Sequence, residues 1–177
     1  MDSPCAGCDA PCCVGRTVAL GAADVRRLQA ALGVPWSAFA AVVSDADGFL
    51  LAADGPRYGF RLRHAGDGSC VFAVALGPTR RCGVHGARPL SCRVYPWHVA
   101  LAVDPNDAPL VAIGRDAACP PALADAWRAR LDDERAPLAA VIAAAAEDAA
   151  ARERWNAAVV AGGRRHVIDE YLAWTSR

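Results

Sequence analysis

Apolar residues recur at helical spacing through VALGAADVRRLQAALG, at Val25, Leu28, Ala31 and Leu32, with Arg26, Arg27 and Gln29 between them. Gly33 comes next as a natural C-terminal stop, so a helix is expected there. In VPWSAFAAVV, Pro35 precedes apolar side chains at Trp36, Phe39 and Val43, and this spacing predicts a second short helix. The period then changes. GFLLAA, YGFRLRH and SCVFAVAL are short, apolar and aromatic, and Asp-Gly-Pro and Gly-Asp-Gly separate them; they predict strands joined by turns. WHVALAV and PLVAIG, on either side of DPNDA, predict a hairpin. Between these groups, GPTRRCGVHGARPLSCRVYP is dense in Gly, Pro and Arg and fits no period. It is expected to be an ordered loop held by the scaffold around it.

The last third reads as helical. PALADAWRARLDDE begins after two prolines. From Pro137 to about Val160, one face is marked by Leu138, Val141, Ile142, Ala145, Ala149, Trp155 and Val159. Gly162 and Gly163 end that run, and RRHVIDEYLAWTSR predicts a final short helix. The expected fold class is α+β: a small antiparallel sheet and irregular cysteine-bearing loops around a metal centre, packed by N- and C-terminal helices. Residues 1–120 are expected to form the cysteine-bearing, metal-binding domain, and residues 121–177 a helical extension packed on it. No internal repeat is visible.

Composition narrows the classes of function. With 177 residues, 54% of them hydrophobic, the chain has enough apolar surface to build a core without covalent staples. Nineteen basic and 19 acidic residues balance, so nothing draws the protein to nucleic acid or to an anionic membrane. MDSPCAGCDAPCC has neither a basic region nor an apolar run, so no secretory signal is expected. The most apolar later stretch is interrupted by Glu147 and Asp148 and is not expected to span a bilayer. The expected location is therefore cytoplasmic. In that reducing compartment, clustered thiols point to metal or redox chemistry rather than to structural disulfides.

The thiols carry the candidate chemistry. CAGCDAPCC places Cys5, Cys8, Cys12 and Cys13 within nine residues, and Cys70, Cys82, Cys92 and Cys119 come later in the chain. A Cys-x2-Cys turn aims two sulfurs at one metal. Zinc–sulfur bonds of about 2.3 Å require that ligands converge closely. Small and turn-forming residues (Ala6, Gly7, Asp9, Pro11) fit such wrapping. Neighbouring side chains such as Cys12 and Cys13 are expected to diverge, so they would serve two centres or two iron corners of one cluster, or else one would ligate while the other packs in the core. Four thiolates fill a zinc site or a four-iron cluster. Arg88 and Arg93 flank Cys92, where a guanidinium would offset thiolate charge or bond loop carbonyls. His85 and His98 lie in or beside the same loop as candidate ligands or sulfur donors. P-loop, HExxH and dinucleotide-binding patterns are absent.

CAGCDAPCC, GDGSCVF, RRCGVHGARPLSCRVYP and AACP, in that order, resemble the YkgJ-type cysteine-cluster family, described as a zinc- or iron-chelating domain. The resemblance covers about residues 5–120. It implies a metal or iron–sulfur centre, with Cys5, Cys8, Cys12, Cys13, Cys70, Cys82, Cys92 and Cys119 as metal ligands. His85 stands where relatives carry an aromatic residue, so no role is carried over to it. The expected cofactor is an iron–sulfur cluster of the 4Fe-4S type, serving electron transfer or a modification reaction on an unspecified protein or small-molecule substrate. Two alternatives stay open: a Zn2+-stabilised, non-catalytic binding module, and a thiol redox sensor built on the vicinal pair.

Overall fold

In the computed structural model, residues 11–77, 79–93, 95, 97–102, 110–115 and 131–176 are described, with the backbone alone for 11, 97–102, 110–115 and 131–139. Helix α1 (Ala22–Leu32) forms on the expected spacing, with Val25 and Leu28 fully buried. It stops at Gly33, whose φ of 65° needs a residue without a Cβ and whose N–H donates to the Gln29 carbonyl at 2.8 Å. Gly21 offers no side chain to cap the other end. Asp148 of a distant helix does so instead, accepting from the N–H groups of Ala22 (3.2 Å) and Ala23 (3.0 Å).

The second short helix is only a 3-10 turn, Trp36–Ala38. Phe39 ends the turn, and β2 (Ala40–Leu50) starts one residue later. The 36–39–43 spacing resembles a helix, but Ala40, Ala41, Val42 and Val43 pair with β3 (Arg57–Leu62), and sheet pairing decides their conformation. GFLLAA is accordingly the end of β2 and the turn after it, not a strand of its own. A short β1 (Ala19–Leu20) completes an antiparallel sheet of order β1-β3-β2. The expected ordered loop after residue 76 also holds regular elements. β4 (Ala73–Leu76) and β5 (Thr79–Cys82) form a hairpin, a 3-10 turn covers His85–Ala87, and α2 spans Leu90–Arg93. The hairpin expected further on is present as β6 (Trp97–Ala102) and β7 (Leu110–Arg115). The expected helix at PALADAWRARLDDE falls mainly outside the described residues. The long helix, α3 (Leu131–Gly162), starts ahead of the expected Pro137, and α4 (Ile168–Trp174) closes the chain. Among the described residues no helix is long and apolar enough to cross a membrane.

One core joins these parts. Val25 and Leu28 of α1 meet Phe49, Phe60 and Leu62 of the sheet, together with Trp155 and Val159 of α3 and Tyr171 and Leu172 of α4. Ala145, expected on the buried face of α3, is exposed. The docking of α3 is polar as well as apolar. Trp155 Nε1 donates to the Leu50 carbonyl (2.6 Å); Asn156 accepts from the Leu50 N–H (2.8 Å) and donates to the Gly48 carbonyl (3.1 Å). These bonds satisfy a wide bulge in β2, where Ser44 and Phe49 both face Tyr58 and residues 45–48 are extra. Gly48 sits so close to β3 that a Cβ there would lie 2.1 Å from the Tyr58 carbonyl oxygen. Backbone cannot yield as a side chain does. Gly48→Ala is therefore expected to destabilise the protein by about 1–3 kcal/mol in urea melts, the usual cost of overpacking. An unchanged midpoint would mean that the bulge re-forms freely.

Candidate metal centre

Cys12 and Cys13 lie in the 3-10 turn Pro11–Cys13. The chain after them pairs with the segment around residue 69. Val14 bridges Ser69, Gly15 N–H donates to the Gly68 carbonyl (3.0 Å), and Cys70 N–H donates to the Cys13 carbonyl (2.6 Å). Those bonds carry Cys70 to the vicinal pair. β4 comes next, and its register sets Ala73 opposite Cys82 on β5. Cys92 arrives on α2, its N–H bonded to the Pro89 carbonyl at 2.9 Å. Five thiols from four separate segments thus line a single cavity of about 250 Å3. None of them is in a disulfide. Among the described residues no three ligand-type side chains are drawn together closely enough to hold one ion, so the thiols ring the cavity rather than meet at a point.

The vicinal pair corrects an expectation. Cys12 and Cys13 do not diverge into different surroundings: both line the cavity, and the Cys13 thiol hydrogen-bonds to the Cys12 sulfur. Divergence belongs to strands. In a turn of three residues per revolution, neighbours are only about 120° apart and can converge.

The wall between the thiols is apolar, with Val18, Leu62, Phe72 and Val84 among its residues. Its charged members include Arg16, Arg80, Arg81 and Arg88, and no carboxylate is among the described lining residues. Two influences compete at the sulfurs. Burial pushes the Cys70 and Cys82 thiols up, and Cys92 up to about 11. Against this, the Phe72 N–H donates to the Cys70 sulfur and the Val84 N–H to the Cys82 sulfur, the same two-residue step in both. At the vicinal pair the shared hydrogen bond leads. The bond from Cys13, helped by the charges of Arg16 and Arg88, brings Cys12 down to about 7, while the same bond pushes Cys13 up. Arg16 itself stacks over the Tyr95 ring, 4.2 Å from its centroid. Soft thiolate donors with amide N–H groups on their sulfurs and guanidinium charge nearby suit zinc or an iron–sulfur cluster, and suit magnesium or calcium poorly.

Cys12, Cys13, Cys70, Cys82 and Cys92 are therefore brought together, whereas Cys5, Cys8 and Cys119 lie outside the described residues. His85 lines the cavity, and burial, then the Arg88 charge, lowers its pKa. His98 is on β6, where only the backbone is described. Arg88 donates from Nε to the His85 carbonyl (3.1 Å) and its charge also reaches Cys12 and Cys82. Arg93 instead bonds loop carbonyls, those of Arg88 (2.9 Å) and Gly86 (3.4 Å). Sequence reasoning passes over Arg16. Its only signal is its position three residues after Cys13, and a lone arginine there reads as a solvated charge.

Comparison with known families agrees with this donor set. The sequence model of a family described as "CxxCxxCC: Putative zinc- or iron-chelating domain" matches residues 4–119. The chain belongs to that family, and metal binding is its common property. Three residues, Asp9 to Pro11, separate the second and third cysteines here, one more than the family's designation spells out. No significant match was found among curated proteins or among solved structures.

Proposed function

We propose that this member of the zinc- or iron-chelating family holds an iron–sulfur cluster of the four-iron type in the cysteine cavity. The observation that carries the reading is the room between the thiols. Four sulfurs at about 2.3 Å around one zinc ion leave no void. A cavity of about 250 Å3 ringed by five thiols offers space for several heavy atoms, since a water molecule occupies only about 30 Å3. The amide N–H groups at the Cys70 and Cys82 sulfurs, and the arginine charge, are the kind of surroundings that stabilise a thiolate-bound cluster and set its potential. Such a cluster takes four thiolates; Cys5, Cys8 and Cys119 complete a set of eight candidate metal ligands, enough for a second centre. The cluster would serve electron transfer, or modification of a protein or small-molecule substrate, in the reducing cytoplasm, without nucleic acid or membrane as partner.

The second reading is a non-catalytic binding module stabilised by zinc. An all-cysteine, half-buried donor set favours it, because closed four-cysteine zinc sites use the same ligands. Anaerobic purification with an absorption spectrum and analysis of iron, acid-labile sulfide and zinc separates the two. Iron and sulfide in equal amounts, with a broad visible band, support the cluster. One zinc per chain from iron-supplied anaerobic cells, with no sulfide, overturns it. Cys12→Ser and Cys13→Ser are each expected to lower the iron and sulfide content per chain, because both thiols open on the cavity. Retention of full content in both variants would remove the pair from the ligand set and leave it as a thiol redox pair.

A further inference from the structure

We infer that Asp24 and Arg27 of α1, which do not line the cysteine cavity, are positioning residues for the metal centre, gripping the backbone that carries Cys92 and Arg88. The inference rests on reading the cavity as that centre. Asp24 is only 2% exposed. Its Oδ1 accepts from the Leu90 N–H at 3.0 Å and from the Arg27 guanidinium at 2.5 Å; its Oδ2 accepts from the Gly21 N–H at 3.4 Å. The same guanidinium nitrogen of Arg27 donates to the Arg88 carbonyl at 2.8 Å. The two side chains thus hold the peptide groups on both sides of Pro89, which is itself fully buried.

The grip matters because Pro89 aims the next helix. The N–H groups of Cys92 (2.9 Å) and Arg93 (3.0 Å) both donate to the Pro89 carbonyl, so the direction of that carbonyl sets the direction of α2. α2 has four residues and cannot persist alone. Further ties are the Ser91 hydroxyl, which donates to the Ala19 carbonyl at 3.2 Å, the Arg93 guanidinium on the Arg88 and Gly86 carbonyls, and the packing of Cys92 against the core. A buried ion pair adds little net stability, because desolvation offsets attraction. Its consequence here is geometric: one residue pair on a well-packed helix fixes where a thiol and a guanidinium enter the cavity. Such outer residues commonly change metal affinity by about 10–100-fold.

The test is a double-mutant cycle on reduced protein handled anaerobically. Zn2+ affinity is measured by chelator competition, and Co2+ is used for the thiolate-to-metal absorption. Asp24→Ala is expected to weaken Zn2+ binding by about 10–100-fold and to reduce the Co2+ charge-transfer band. In a Cys92→Ser background its effect should be clearly smaller, because the thiol it positions is gone and only the placement of Arg88 is left to disturb. Asp148→Ala serves as the control: it unties the N-terminus of α1 and leaves the grip on residues 88–90. An equal loss of affinity in both backgrounds, or in the Asp148→Ala control, would overturn the inference and reduce Asp24 to a general stabiliser. Should Asp24→Ala not fold, Asp24→Asn keeps the shape without the ion pair and replaces it in the same cycle. If the wild-type protein takes up no metal, the proposed function fails by itself. Amide exchange of metal-free protein then decides the inference, which requires Leu90 to be protected in wild type and to lose protection in the Asp24 variant; unchanged protection would overturn it.

Discussion

Stripping the metal with a chelator under reducing conditions is expected to melt the sheet-and-loop part of the protein that carries the cysteines and to lower the melting temperature steeply. The five described cysteines come from the first 3-10 turn, the segment before β4, β5 and α2, and no disulfide joins them. Among its described residues the β4–β5 hairpin contributes no fully buried hydrophobic one; Val74 is 47% exposed and Leu76 is 52% exposed. The thiols ring a cavity of about 250 Å3 that a bound metal or cluster would fill, contacting its walls. Binding energies of about 10–16 kcal/mol for all-protein zinc sites rival the whole stability of a domain, about 5–15 kcal/mol. The measurement is a far-ultraviolet circular dichroism melt of holo and metal-free protein. Loss of the strand signal with survival of helical signal is the expected result. Coincident curves would show that the centre does not hold the fold.

Trp155→Ala is expected to cost about 3–5 kcal/mol, as for other buried large-to-small changes. The indole is 3% exposed and meets Tyr171 at 5.5 Å, His166 at 4.8 Å and Trp174 at 5.8 Å between ring centroids. Its N–H bond to the Leu50 carbonyl would also be lost, leaving a buried acceptor without that partner. Trp155→Phe, which retains most of the volume, is expected to cost about 1–2 kcal/mol through that bond. Urea denaturation measures both, and metal content should stay at the wild-type level, because Trp155 is not in the cavity wall. A cost below about 1 kcal/mol for the alanine variant would mean that α3 rests on the sheet without supporting it.

How much of this is legible in the chain depends on how local the cause is. α1 is readable because Val25 and Leu28 repeat on one face and Gly33 stops the helix within the same few residues. The β6–β7 hairpin is readable because two apolar runs flank a turn-rich linker. β2 misleads because its partner, β3, lies beyond a turn, and the pairing overrides a helical spacing of aromatic residues. β5, with the sequence TRRC, shows no alternation of apolar and polar residues; it is a strand because β4 pairs with it. The cysteines are legible as a site because the residue type is itself chemistry. Arg16, Asp24 and Arg27 are not, since a charged residue on an amphipathic helix or after a turn reads as solvated. Only the fold reveals that Asp24 is buried against residue 90.

The aromatic cluster that docks α3 and α4 lies away from the cysteine cavity. Trp155 meets Trp174 edge-on and packs against Tyr171, which stacks on Phe49 of the sheet. Trp36 packs on Phe60 and donates to Asp169. None of these three indoles lines the cavity. The molecule consequently carries two separate optical reporters. With Trp97 and Trp127 replaced by Phe, ultraviolet emission from these three indoles tracks the seating of the terminal helices, and charge-transfer absorption of a thiolate-bound metal tracks the centre. A titration that moves one signal and leaves the other still identifies which half of the protein has responded.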